Sequence, residues 1–482
     1  MGAPGDQRLQ VEIAARLPRY FATRRGVRAA VEAWVGVSDQ GGKVSRRIWQ
    51  AALVCVAAVL ALLAAGCGGG GGGSSSGNVS ALPSSSCSDI YYQGGGNADF
   101  LIASDLPLQG SGRTQTVQMT EAIKFVLKQH SFKAGKYKIG YQSCDDSTAQ
   151  AGKWASEKCS ANANAYASNK SVIGVIGTFN SGCAEIVIPV LNRAAGGPVA
   201  MVSPANTYVG LTHGGPGTAA GEPDKYYPTG KRNYIRIVAA DDFQGAADAL
   251  NAQQLGLKKI YILNDKEAYG LGVATDFKNS LTQLGITVAG FSAWNGKASS
   301  YTGLATKIKQ AGADAVFLGG LICENGGKVI KDLRSVLGTK VTLLAPDGFT
   351  PISAVVDGAG QAAEGLYVSV AGEPNENLPA NGKAFVKDFG ATQKGGNVDP
   401  YSSYAAQATE VLLTAIEKSD GTRTSVTDNL LKTKVADGIL GNFTINSNGD
   451  TSSNPVTMYR IKGGKQTTYK TITPPQSLVS KA

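Results

Sequence analysis

From Phe100 onward the chain keeps returning to one unit: a short apolar or β-branched run, a polar turn, then a longer amphipathic stretch. Strand candidates are residues 100–103, 137–141, 172–176, 199–202, 234–237, 259–263, 287–291, 315–318, 341–344 and 366–370. Helical spacing of apolar residues fills 114–128, 149–167, 184–194, 243–255, 270–284, 301–311 and 327–337. A run such as KKIYILND is apolar on both faces, so each strand needs cover on two sides and a crossover helix to reach a parallel neighbour. That is an α/β body. The units are too many for one convenient sheet, and a late helix at 401–418 is followed by short strand-like pieces at 443–445 and 456–461. Two doubly wound parallel-sheet lobes accommodate them, with ligand chemistry expected at the carboxyl ends of strands.

The segment before this body reads as an export address. Arg46 and Arg47 precede the apolar run IWQAALVCVAAVLALLAA, which ends in Ala64-Ala65-Gly66-Cys67. A positive n-region, an apolar h-region and a small-residue cleavage site make a secretory signal. Cys67 after Ala65-Gly66 resembles a bacterial lipobox, in which the sulfur is lipidated and the new N-terminus acylated, palmitate being a typical chain. Ala64 stands where lipoboxes usually carry leucine. A single membrane-spanning helix is the competing reading of the same run. Residues 1–43 are long and mixed in charge for a leader, and Val44 is a candidate start. Gly68 to Gly73 and the serines after them form a flexible tether.

The net charge of +10 is no nucleic-acid signature, because half of it lies in residues 1–47 and no basic stripe with interleaved aromatics follows. Catalysis finds little support. There is no HExxH, and the GxSxG match at 73–77 falls in the tether. His130 closes a helix and His213 sits in the Gly-rich insertion at 208–230, so both are expected to face solvent. No two cysteines have CxxC spacing, so neither a metal nor another cofactor is expected.

Five pieces carry a family resemblance by their order and spacing: VIGVIGTFNSGC (172–183), VSPANT (202–207), IYILNDKEAYGLG (260–272), GGLICENGG (319–327) and LAPDGF (344–349). Together they make the body resemble the type I periplasmic binding proteins, most closely those for leucine, isoleucine and valine. The resemblance implies two lobes joined by a three-segment hinge. Residues 1–66 are then the N-terminal extension and signal, and 67–96 the lipidated cysteine with its tether. Residues 97–238 with 372–440 form lobe one, and 239–371 with 441–482 lobe two. It implies a binding protein and no enzyme, held by its lipid at the extracytoplasmic face of the cell membrane. Such a protein passes an amino acid or similar polar metabolite to an ABC permease. Sensing for a membrane signalling partner is the alternative use of the same fold.

An amino acid's carboxylate and ammonium must both be satisfied once a cleft closes over them. Ser181, between a strand and a helix start, suits a carboxylate. The resemblance assigns Ala205 main-chain contacts and Thr207 a hydroxyl contact in the turn after Val202. It makes Asp347 the partner of the ammonium, although the branched-chain binders carry glutamate there. Tyr269 matches a cleft tyrosine of the second lobe, and Leu321 stands where those binders place an aromatic. Gln109 and Tyr401 border the cleft. Helix capping for Ser181, turn chemistry for Thr207 and Asp347, and packing for Tyr269 are the structural alternatives. Cys87, Cys144, Cys159, Cys183 and Cys323 remain in the exported body. The resemblance suggests a disulfide between Cys144 and Cys183, with Cys144 to Cys159 as the other option.

Overall fold

The computed structural model describes residues 79–479. The expected signal segment and the lipidated Cys67 lie outside the described residues. Among those described, no helix is long and apolar enough to cross a membrane.

In the first half, β1 (Phe100–Leu106) leads into α1 (Arg113–Gln129), then β2 (Lys133–Ala134) and β3 (Tyr137–Asp145). A small antiparallel pair follows, β4 (Ser147–Thr148) with β5 (Lys153–Trp154), and then α2 (Ser156–Ser168). Next come β6 (Val172–Gly177), α3 (Ser181–Asn192), β7 (Ala200–Ser203) and β8 (Tyr234–Arg236). The first sheet has the order β2-β3-β1-β6-β7-β8, parallel except for β2. Successive side chains of a strand face opposite ways. On β1, Ile102 joins Met119, Ile123 and Val126 of α1, while Leu101 joins Tyr166 of α2 and Val187 of α3.

The chain then enters a second layer: α4 (Asp241–Gln254), β9 (Lys259–Asn264), α5 (Ala268–Gln283), β10 (Thr287–Ala293), α6 (Thr302–Gln310) and β11 (Ala315–Gly319). It continues through α7 (Gly327–Leu337), β12 (Thr342–Ala345), α8 (Ile352–Ala359) and β13 (Tyr367–Ala371). It returns to the first layer with α9 (Ala380–Gly390), α10 (Pro400–Glu417) and α11 (Arg423–Leu430). Then come the hairpin β14 (Lys434–Gly438) and β15 (Gly441–Thr444) and the final pair β16 (Val456–Lys462) and β17 (Lys465–Ile472). The second sheet runs β10-β9-β11-β12-β13-β16-β17, its first five strands parallel. The two parallel-sheet lobes read from the sequence are therefore present. The β14–β15 pairing spans the expected lobe boundary at Leu440 and Gly441, so the third passage between sheets falls in the loop before β16.

Three sequence readings change. The helix read from 149 begins at Ser156, because Lys153 and Trp154 pair back onto Ser147 and Thr148. Gly152 turns this hairpin with φ of 63°, and a Cβ on Gly110 would collide with the Gly152 carbonyl, so the hairpin rests on the β1–α1 loop. The disulfides are Cys87–Cys144 and Cys159–Cys183, so the expected Cys144–Cys183 bond and its alternative are both incorrect. The segment around Cys87 runs antiparallel beside β3 and brings its Cα within 4.0 Å of that of Cys144, while Cys159 and Cys183 face each other from adjacent α2 and α3. Finally, His213 is not solvent-facing: its ring lies between Asp242 and Asp450.

Candidate functional site

The carboxyl ends of β6, β7, β9, β11 and β12 converge between the sheets. Five loops from these ends wall a cavity of about 20 Å³, lined by Phe179, Asn180, Ser181, Ala205, Thr207, Tyr269, Leu321, Asp347 and Gly348. That is room for about one water molecule, so the lobes are closed. All six candidate ligand-binding residues, Ser181, Ala205, Thr207, Tyr269, Leu321 and Asp347, stand in this wall.

Local hydrogen bonds hold each one. Ser203 Oγ donates to the Thr178 carbonyl at 3.0 Å and accepts from the Ala205 and Asn206 amides at 3.1 and 2.8 Å, which folds the loop after β7 onto the loop after β6. Ser181 opens α3, and its Oγ accepts the Tyr208 amide at 3.3 Å. The α3 N-terminus thus points its positive end at the cavity. Thr207 is buried beside it, its hydroxyl next to the Asp241 carboxyl.

From the second sheet, Asp265 accepts the Leu321 amide at 2.8 Å and the Glu267 amide at 3.0 Å, which pins the loop after β11 to the loop after β9. Burial pushes the Asp265 carboxyl up to about 7. Asp347 is 7% exposed. Its Oδ1 accepts from Tyr269 Oη and its Oδ2 from Tyr401 Oη, each at 2.6 Å. Tyr269 belongs to α5 of the second layer and Tyr401 to α10 of the first, so this carboxyl ties the two lobes together. Burial raises its pKa above the ordinary value, and the hydroxyl hydrogen bonds pull it back part of the way. Behind Thr207, the carboxyl of Asp241 is fully buried, and burial together with the nearby Asp347 charge holds its pKa well above the usual range against the pull of the Thr207 hydroxyl. Among the described residues, no lysine or arginine lines the cavity.

A profile of the periplasmic binding protein family matches residues 102–466. The chain belongs to that family. As a periplasmic binding protein it is similar to Leu/Ile/Val-binding protein homolog 1 of Brucella suis, 26% identical over 387 residues that cover 80% of this chain and 96% of that one. It is also similar to the leucine-, isoleucine-, valine-, threonine-, and alanine-binding protein of Pseudomonas aeruginosa, 28% identical over 236 residues, 48% of this chain and 60% of that one. Among solved structures, a leucine binding protein of Thermotoga maritima superposes with a TM-score of 0.66 at 22% identity, covering 78% of this chain and 99% of that one. A solute binding protein of R. palustris in complex with benzoate does so at 0.63 and 20%, covering 78% and 96%. At these identities the solved structures establish the shared fold.

This periplasmic binding protein has features that sequence reasoning missed. The β4–β5 hairpin places Lys153 across the cleft mouth, where its Nζ donates to Glu267 Oε1 at 2.8 Å and pairs with Glu324, both on the second layer. Burial opposes the Lys153 charge, but the two carboxylates outweigh it and raise its pKa. A helical reading of residues 149–155 conceals this reach. Phe179 and Asn180 lay inside the quoted VIGVIGTFNSGC piece, but nothing in their spacing marks them as wall residues. Tyr401, expected at the border, instead holds Asp347. Gln109 lies away from the cavity wall and braces the hairpin through Asp145 and Ser147.

Proposed function

We propose that this chain is an exported solute-binding protein, lipid-anchored through Cys67, that closes on an amino acid and presents it to an ABC permease. The observation that carries the reading is the position of Asp347, a buried carboxylate shared by both lobes and facing the N-terminus of α3 across one small cavity. An ammonium placed beside Asp347 and a carboxylate at Ser181 match that polarity, and a carboxylate has lone pairs enough to accept the ammonium beside two hydroxyls. The names of the Brucella and Pseudomonas relatives support an amino acid. A ligand with only a carboxylate, such as the benzoate of the R. palustris neighbour, would bring no donor to Asp347 and find no cation in the wall.

Ser181, Ala205 and Thr207 act on the carboxylate end in this reading, Asp347 and Tyr269 on the ammonium end, and Leu321 covers the ligand from the second lobe. Closure by ligand then stabilises the form that docks on the permease. Isothermal calorimetry against the common amino acids tests the reading. Micromolar binding, about −8 kcal/mol, is expected for at least one of them. Binding of benzoate in preference to every amino acid would overturn it.

A further inference from the structure

Tyr401, whose Oη holds the Asp347 carboxyl of the cavity wall, also walls a second pocket. That pocket, of about 10 Å³, is walled by Gln115 and Tyr401 from the first lobe and by Thr350, Pro351, Ile352 and Val370 from the second. It shares six residues, Gln115, Pro351, Ile352, Asp399, Pro400 and Gln466, with an open crevice of about 890 Å³. The pocket is close to the proposed ammonium site: Thr350 Oγ1 donates to the Asp347 carbonyl at 2.7 Å, and Tyr401 Oη donates to the Asp347 carboxyl at 2.6 Å.

Gln115 is the unusual member. It sits in the first turn of α1, 2% exposed, and among the described residues neither its Oε1 nor its Nε2 has a hydrogen-bond partner. A buried primary amide offers two donors and an acceptor and is costly to leave unpaired. Among the described residues no side chain of the lining meets it: Thr350 Oγ1 is turned to Asp347, Asp399 Oδ1 accepts the Tyr401 amide at 3.0 Å, and Gln466, the other amide of the wall, makes no hydrogen bond to it.

We infer that Tyr401 divides a two-part ligand site in which Gln115 reads the end of the ligand's side chain, selecting amino acids whose tail ends in a carboxamide or urea group. This rests on the amino-acid reading proposed above. A carboxamide tail accepts from Nε2 and donates to Oε1, so both idle groups of Gln115 are met by one partner. An aliphatic tail meets neither and keeps them dry. An anionic tail pairs with Nε2 but faces the Asp399 carboxyl on the same wall.

The test is calorimetry on the full-length protein, wild type and Gln115→Leu, with glutamine and leucine as probes. Gln115→Met, which keeps the side-chain length, serves if the leucine variant does not fold. The wild type is expected to prefer glutamine by about tenfold or more. The variant is expected to lose that preference by weakening glutamine and strengthening leucine. Preference for leucine in the wild type, or an unchanged ratio in the variant, overturns the inference while leaving the amino-acid reading standing; the second result makes Gln115 a structural amide satisfied by water. Binding of neither probe, nor of any other amino acid, overturns both.

Discussion

The hinge and the cleft of this protein bury comparable polar groups and treat them in opposite ways. At the hinge, Arg236 is fully buried at the end of the first sheet and donates from Nε to Asp450 Oδ1 at 2.7 Å. Asp450 also accepts from Thr212 Oγ1 at 2.7 Å and pairs with His213 Nδ1 at 3.0 Å, while His213 Nε2 faces Asp242 Oδ2 at 3.3 Å. Opposite charges meet at every step, and the segments that carry the chain between lobes are locked to one another. In the cleft, Asp347 is met by tyrosine hydroxyls and by no cation among the described residues, Asp241 has no counter-charge in the cavity wall, and the Gln115 amide is idle. A satisfied buried network specifies one geometry, whereas an unsatisfied one stores a demand that a ligand can meet.

The contrast breaks most readily at the hinge. Asp450→Ala leaves Arg236 buried without its counter-charge and is expected to cost about 3–5 kcal/mol of unfolding free energy. Urea denaturation reads it, and a cost below about 1 kcal/mol would mean that the hinge is not the stabilising half of the comparison. Asp347→Ala should do the reverse: amino-acid affinity falls about 100-fold, as for truncating a buried charged partner, while unfolding free energy changes less than at Asp450, because relief of a buried carboxyl offsets the two tyrosine hydroxyls left without it. Equal affinity in that variant removes Asp347 from the ligand site.

A third measurement sharpens the hinge alone. Burial works against a charge on His213, but its hydrogen bonds to Asp242 and Asp450 prevail and lift its pKa from 6.5 to about 9. A raised folded-state pKa means that the stabilisation is complete below pH 6.5 and is lost as pH climbs through about 9. The wild type should therefore lose on the order of 2 kcal/mol across that window. His213→Gln should show no such decline, and identical pH profiles for the two proteins would exclude the pairing. The smallest effect is expected at the cleft mouth. Lys153→Met removes the bridge to Glu267 and Glu324, a part-exposed contact of about 1 kcal/mol. Ligand release in stopped-flow fluorescence should accelerate severalfold, and added salt should bring the wild type toward the variant.

Much of the fold was legible because it is periodic. Ten strands and most of the helices could be read from apolar spacing, since a parallel strand must be apolar on both faces and its crossover helix on one. What escaped were the pieces whose form depends on a neighbour: α8, α9 and α11, the edge strand β17, and above all the β4–β5 hairpin. The disulfides escaped for the same reason. Cys144 has cysteines ahead of it and behind it, and only the antiparallel lie of the Cys87 segment along β3 selects its partner.

The sequence by itself determined the two-layer α/β class and where its strands end, because hydrophobic period and turn chemistry are local properties, while the family resemblance, and for Ser181 its place before a helix, picked out the six cleft residues at those ends. Tertiary structure alone decided that Tyr401 would cap Asp347, that Lys153 would bridge the mouth, that His213 would be drawn into the hinge and that Gln115 would be buried unpaired. Each of those depends on groups from distant segments meeting in a space of low polarity, where the energy of a polar atom is set by what lies opposite it and no local pattern in the chain records that partner.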